Sequence, residues 1–354
     1  MKQFRQLLNK IFIDGLSGMA LGLFSTLIVG TIIQQIGLLI GGVVGSTLFV
    51  LGKVAASLTG AGIGCGVAYK FKESPLVVVS AATAGMVGAF AGKIIAGTVF
   101  VDNVVHFAGP GEPLGAFIAA YTGITFGHMV SGKTKVDILV TPITAIITGS
   151  TVGLFAGPPI SAFMVWIGSV INWGTEQQPV LMGIIVSVIM GVVLTLPISS
   201  AALGVVLNLS GIAAGAATVG CCANMVGFAV ASYRENKLGG LLAQGLGTSM
   251  LQMPNIVKKP IIWLPAIITS AVLGPISTKV LGMTSNATGS GMGTAGLVGP
   301  IMTYQTMYGT VGSGVALLEI AVMHFILPAV LSLVISEIMR KKGWIKFGDM
   351  KLDV

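Results

Sequence analysis

GLGTSMLQMPNIVKKP, residues 245–260, decides how the chain folds. Apolar sequence surrounds it. Within it, Gly245, Gly247, Pro254 and Pro260 interrupt regular helix, and Thr248, Ser249, Gln252 and Asn255 carry polar groups. In lipid an unpaired backbone group costs several kcal/mol. Broken backbone at membrane depth is therefore tolerated only when buried in protein or lining a wet cavity. The question is whether these residues lie in a membrane at all.

Composition answers it. Of 354 residues, 54% are hydrophobic and 8% are charged, against about 25% charged in soluble domains. Mean hydropathy is +0.96. Many apolar runs reach the roughly 20 residues that a spanning helix needs. The fold class is an all-α polytopic membrane protein, since a β-barrel would show short alternating segments instead. The 51 glycines suit close helix packing and broken helices, which favours transport over anchoring. Residues 1–10 are basic, but the apolar run after them is too long for a cleaved leader and lacks an Ala-x-Ala end. Cys65, Cys221 and Cys222 sit in apolar surroundings and read as small buried hydrophobes, not metal ligands.

Apolar length and breakers give about ten spans, near 10–36, 42–69, 76–100, 114–132, 136–156, 160–173, 179–198, 210–233, 260–280 and 312–338. Cytoplasmic loops collect Lys and Arg. Lys2, Arg5 and Lys10, then Lys70 and Lys72, Lys133 and Lys135, Arg234 and Lys237, and Arg340, Lys341 and Lys342 all fall on one face by this count. The loop 101–113, which includes Asn103, has no Lys or Arg. Both termini are expected in the cytoplasm, with Lys279 as one exception. The net charge of +8 sits beside spans and does not indicate nucleic acid.

The same charges place the opening stretch. Arg234 and Lys237 precede it, and Lys258 and Lys259 close it. Residues 238–257 therefore enter and leave on one side, as a re-entrant hairpin expected to line a substrate path. A second broken segment, 282–312, enters from the opposite face. Two such segments are the pattern of alternating-access transporters. Residues 1–172 are expected to hold scaffold and dimer contacts, helped by the small residues of AATAGMVGAFAGKIIAG (81–97). Residues 173–312 are expected to form the transport part, and 313–354 the last span and a cytoplasmic tail. KVDILVTPITAIITGSTVGLFAGPPIS (135–161) and KPIIWLPAIITSAVLGPIS (259–277) align with gaps, as an internal duplication would.

Four strings carry a family resemblance: LPISSAAL (196–203), GIAAGAATVGCCANMVGFAVASYRENKLGG (211–240), GLGTSMLQMPNI (245–256) and GMGTAGLVGP (291–300). Together they resemble the EIIC-type membrane proteins of the phosphotransferase system, in the perfringolysin-regulator-like (PfoR-like) branch. The resemblance implies a dimeric sugar transporter of the bacterial plasma membrane, with sugar bound between a scaffold and a moving domain. No soluble IIA domain with its phosphorylated His and no IIB domain with its phosphorylated Cys is present, so phosphoryl groups would come from separate chains.

Sugar hydroxyls call for amides, carboxylates and His in a cleft that excludes water. The candidates in the broken segments are Thr248, Gln252, Asn255, Ser285 and Asn286. Asn224 lies mid-span and reads either as helix–helix glue or as a ligand contact. Glu112, in GPGEPLG, reads as an outer-loop carboxylate or a sugar ligand. Glu319, in GVALLEIAVMHF, is an intramembrane carboxylate, which is costly to bury and commonly functional; a Lys such as Lys93 would be its structural partner. His128 sits near the end of the fourth span. GAGIGCG (60–66) and GSGMGTAG (289–296) imitate phosphate loops but lack the strand and helix such loops need. No catalytic, metal or cofactor constellation is present. Three functions fit: a sugar or polyol carrier served by separate IIA and IIB proteins, an uncoupled secondary transporter of a small anionic solute, and a membrane sensor that kept the fold.

Overall fold

The computed structural model describes residues 10–101, 104–107 and 109–352. Lys2, Arg5 and Asn103 lie outside them. The chain forms two compact units that divide between Val165 and Trp166.

The first unit is a helical bundle. Helix α1 (Lys10–Ile40) contains two π-helical turns, Lys10–Gly15 and Phe24–Ile28. It reverses at Gly41 and Gly42, whose φ angles of 68° and 60° suit a residue without Cβ. Helices α2 (Gly42–Ser57) and α3 (Thr59–Lys70) run back along it, bent by 54° to each other. Helix α4 (Pro75–Ala89) and α5 (Pro113–Val130) follow, with a small antiparallel pair between them, β1 (Phe100–Val101) and β2 (Val104–Val105). The helices touch through small residues. A Cβ at Gly22 would stand 2.0 Å from the Gly62 carbonyl oxygen, so α1 and α3 meet backbone to backbone. Lys10 lies over the Phe71 ring, and Ser74 bonds Ser131 at 2.8 Å. The loops bearing Lys10, Lys70, Lys72 and Lys133 thus share one end of this unit.

Helix α6 (Asp137–Thr175) carries the chain across the boundary as one element of 39 residues. The sequence suggested two spans there, split at Gly157-Pro158-Pro159. The helix runs on through these prolines, because apolar surroundings favour continuous helix even where a backbone N–H is missing.

The second unit is built around α9 (Gly211–Ala231), which is buried along almost its whole length. Around it stand α7 (Pro179–Thr195), α8 (Ser200–Val206), α10 (Tyr233–Leu242), α11 (Met253–Lys258), α12 (Pro260–Leu281), α13 (Val298–Val311) and α14 (Ser313–Lys341). Helix α7 was expected to cross. It runs alongside α9 from the Gly211 end, and its last residue, Thr195, contacts Asn224 near the middle. The chain then returns through α8, where Ser200 Oγ donates to Gly291 O at 2.7 Å.

Among the described residues, five helices are long and apolar enough to cross a bilayer, or six if bent α2 and α3 form one span. The all-α membrane class follows directly.

Candidate functional site

The second unit has two ends. Arg234, Lys237, Lys258, Lys259, Arg340 and Lys342 mark the basic end. Pro179, Gly211 and Thr278 mark the other; there Thr278 Oγ1 donates to Pro179 O at 2.6 Å. Cys221 is the midpoint of α9, about 15 Å from either end at the helical rise.

The first broken segment leaves the basic end. Helix α10 turns over at Lys237, a non-glycine residue with φ 51°. A π-helical turn, Ala243–Gly247, takes the chain inward beside α9. Thr248 is extended, and its hydroxyl accepts from Met250 N to start a short 3-10 turn, Ser249–Gln252. Ser249 is the deepest contact, 2.7 Å from Thr195 Oγ1. Helix α11 then returns to Lys259, which pairs with Asp349 at 2.6 Å back at the basic end. Residues 238–259 form the re-entrant hairpin that the flanking lysines implied.

The second hairpin enters from the other end. Ser285 N donates to Gly211 O, at the start of α9. Asn286 caps the turn Ala287–Ser290, and Ser290 O lies 3.5 Å from Cys221 Sγ. The tip is Gly293-Thr294. Helix α13 leads back out, and Thr306 Oγ1 donates to Thr284 O at 2.8 Å. The tip of the second hairpin touches the inward arm of the first: Thr294 Oγ1 donates to Gly245 O at 2.5 Å, with Met225 of α9 alongside.

A buried polar seam supports this meeting point. Asn224 is fully buried. Its amide donates to Gly220 O and Ser270 Oγ, and its carbonyl accepts from Trp263 Nε1 at 2.9 Å and from Thr195. It ties α7, α9 and α12 together. Such a network is stiff when every member is satisfied.

Gln252 and Asn255 face the basic end. Gln252 Nε2 donates to Gln244 Oε1 and to Met350 O; Asn255 Nδ2 donates to Gln252 Oε1 and to Lys351 O. Gln244 in turn donates to Ser232 Oγ. Their amides clasp a strap, residues 342–352, that sequence reasoning missed. Asn236 holds the same strap through Met350 O and Leu352 N. Glu235 is completely buried against Arg340 at 2.9 Å and also accepts from Gly348 N. Burial alone would push the Asp349 carboxyl up, but hydrogen bonds from Lys259 and the Lys346 N–H, with the charges of Lys259 and Arg340, hold it below the usual carboxylate range. The strap's signal in the sequence is three apolar residues, Ile345, Met350 and Leu352, set among lysines.

The other candidates fall elsewhere. Asn286 Nδ2 meets only the Met302 thioether, a weak acceptor, among the described residues. The hydroxyls of Ser285 and Thr303 are buried and have no hydrogen-bond partner there. Glu319 is half-buried in α14, with one carboxylate oxygen buried and unpartnered, and His324 is completely buried with neither ring nitrogen bonded. In the first unit, Glu112 immediately precedes α5, and its N–H donates to Ala89 O. His128 is 69% exposed and pairs with Glu73 at 2.9 Å. Among the described residues no group of three or more His, Cys, Asp and Glu is placed to hold a metal.

A comparison with curated proteins finds no match. Residues 13–352 match the family described as Phosphotransferase system, EIIC. That match covers both units and both hairpins, and it agrees with an apolar helical chain whose broken segments meet inside it. The chain belongs to the EIIC family, the membrane permease component of the phosphotransferase system.

Proposed function

We propose that this protein moves a sugar or polyol across the bacterial plasma membrane by alternating access, as a homodimer with both termini in the cytoplasm. The observation that carries the reading is the meeting of two hairpins from opposite ends at Thr294 and Gly245. Broken segments of this kind offer backbone and side-chain groups to a polar solute at membrane depth. The basic ends of both units face the cytoplasm under the positive-inside rule. Separate IIA and IIB proteins supply phosphoryl groups. The four strings that carry the resemblance support membership in the PfoR-like branch. Residues 173–312 hold most of the moving part, and residues 1–172 much of the scaffold.

The substrate contacts are Asn286, Thr248 and Glu319. Asn286 leads, because its amide hydrogens face only a thioether in a half-buried turn. Glu319 offers an acceptor for a sugar hydroxyl. Gln252 and Asn255 reach substrate only when the strap lets go of them, and Asn224 positions the seam behind.

A thermal-shift screen of the purified protein against sugars, polyols and organic acids identifies the solute. For that solute, Asn286→Ala is expected to raise Kd roughly 5- to 150-fold, from about 1–3 kcal/mol for a lost hydrogen bond in a dry site. Asn286→Asp should lose less, since it keeps the cap on Gly289 N. An unchanged Kd in the alanine variant would move the site away from the second hairpin.

A further inference from the structure

The strap has two sides. Ile345, Met350 and Leu352 point inward and are 2%, 0% and 8% exposed, while Trp344 and Phe347 are 48% and 76% exposed. The outward side carries Lys342, Lys346 and Lys351, with Lys341 just before it at the end of α14; all four are exposed, and exposed Lys237 and Lys258 lie at the same end. None of these six makes an ion pair among the described residues. The three carboxylates nearby are already engaged: Glu235 with Arg340, Glu337 with Arg234, and Asp349 with Lys259. The basic end thus has a surplus of positive charge that nothing described in the protein balances.

We infer that this surface binds the anionic headgroups of the membrane leaflet it adjoins, with Trp344 and Phe347 set into the headgroup layer. Chain connectivity supplies the first reason. Helix α14 is long and apolar enough to span, and it ends at Lys341. Trp344 lies three residues further on, so it cannot leave the interface where the helix emerges. Side-chain chemistry supplies the second. Tryptophan, whose ring has a polar edge, concentrates at membrane–water interfaces, phenylalanine beside basic residues inserts its apolar ring at the same level, and clustered lysines just beyond a span are drawn to anionic lipid. Lys342 already lies over the Trp344 ring at 5.0 Å, which keeps a cation beside the aromatic anchor. A docking face for a soluble domain would need the lysines, but it would not need two exposed aromatics at the foot of a spanning helix.

This inference does not depend on which solute is carried. It has a mechanical consequence. The strap's inner side holds Gln252 and Asn255 of the first hairpin, so lipid bound on the outer side steadies that hairpin from below.

The test uses the full chain in nanodiscs. Trp344 emission is taken as the difference between the native chain and Trp344→Phe. Lipids brominated near the top of their acyl chains quench tryptophans that touch them. Brominated phosphatidylglycerol is expected to quench Trp344 several-fold more than brominated phosphatidylcholine at the same mole fraction. The preference should shrink as salt screens the lysines. It should vanish when Lys341, Lys342, Lys346 and Lys351 are all changed to Gln, with the melting temperature unaltered. Equal quenching by the two lipids would overturn the inference. So would a preference indifferent to salt, which stands as a test if the four-lysine variant does not fold. A Trp344 that neither lipid quenches, but that a soluble phosphotransferase domain shields, would give the surface to a protein partner instead.

Discussion

Gly220→Ala is expected to lower the melting temperature of the purified protein steeply, or to prevent its accumulation. Helices α7 and α9 cross at this residue with no side chain between them. A Cβ there would stand 1.9 Å from the Ser187 carbonyl oxygen and 2.6 Å from the Ser187 Cα. Both obstacles are backbone, so no rotamer change relieves them. The helices would have to part by more than 1 Å, roughly the shortfall from a van der Waals contact of about 3.5 Å or less. Separation would also stretch the bond from Ser187 Oγ to Ser270 O, and it would disturb Asn224, whose amide lies against Gly191. Overpacking an ordinary core costs about 1–3 kcal/mol and more where the backbone blocks relaxation. Gly239→Ala is the control. A Cβ at Gly239 meets nothing within 4 Å, so the substitution should be neutral or slightly stabilising through helix propensity. Equal melting temperatures for the two variants would contradict the described crossing.

Arg340→Met should be almost as damaging, for an electrostatic reason. Arg340 and Glu235 are 8% and 0% exposed as side chains. One Arg340 nitrogen donates to both Glu235 oxygens and to Ala231 O. Removing the guanidinium leaves a buried carboxylate whose compensating charge is gone, at a cost of about 3–5 kcal/mol. The double variant Arg340→Met/Glu235→Met should recover much of that loss, because no lone charge remains buried. The strap reports the same event: Gly348 N donates to Glu235, so proteolysis within 343–352 should rise in the single variant. A double variant no more stable than the single one would show that the pair is not buried as described.

Sequence reasoning captured the parts of this fold that charge enforces. Lys237 and Lys259 must stay near water, so the polar segment between them had to return to the side it came from, and 238–259 does so. The glycine run after Gly282 likewise signalled a second hairpin, because no span survives that density of breakers. Two features escaped. Pro158 and Pro159 looked like a break, yet α6 continues through them. Residues 179–195 are apolar enough to cross, yet α7 stops beside Asn224. Its packing against α9, with Gly220 at the crossing, and against α12 fixes that depth. The candidate site shows the same limit. Gln252 and Asn255 were legible as amides in a broken segment, expected to line a substrate path. Their partners, Met350 O and Lys351 O, lie 98 and 96 residues away, and no local pattern links them. Thr195, Ser249 and Thr294 are not among the candidates, because lone hydroxyls among apolar residues commonly bond their own helix.

Sugar counterflow in proteoliposomes holding only the purified chain addresses the central reading, that hairpins meeting at Thr294 and Gly245 form a route for a sugar. Vesicles are loaded with an unlabelled sugar found by the thermal-shift screen, and uptake of the labelled sugar is followed without phosphoenolpyruvate or soluble subunits. Transient accumulation of label above equilibrium is expected, reduced in Asn286→Ala and independent of an imposed proton or sodium gradient. Binding of the sugar with no counterflow in the native chain would contradict the reading and leave a membrane sensor built on a permease fold.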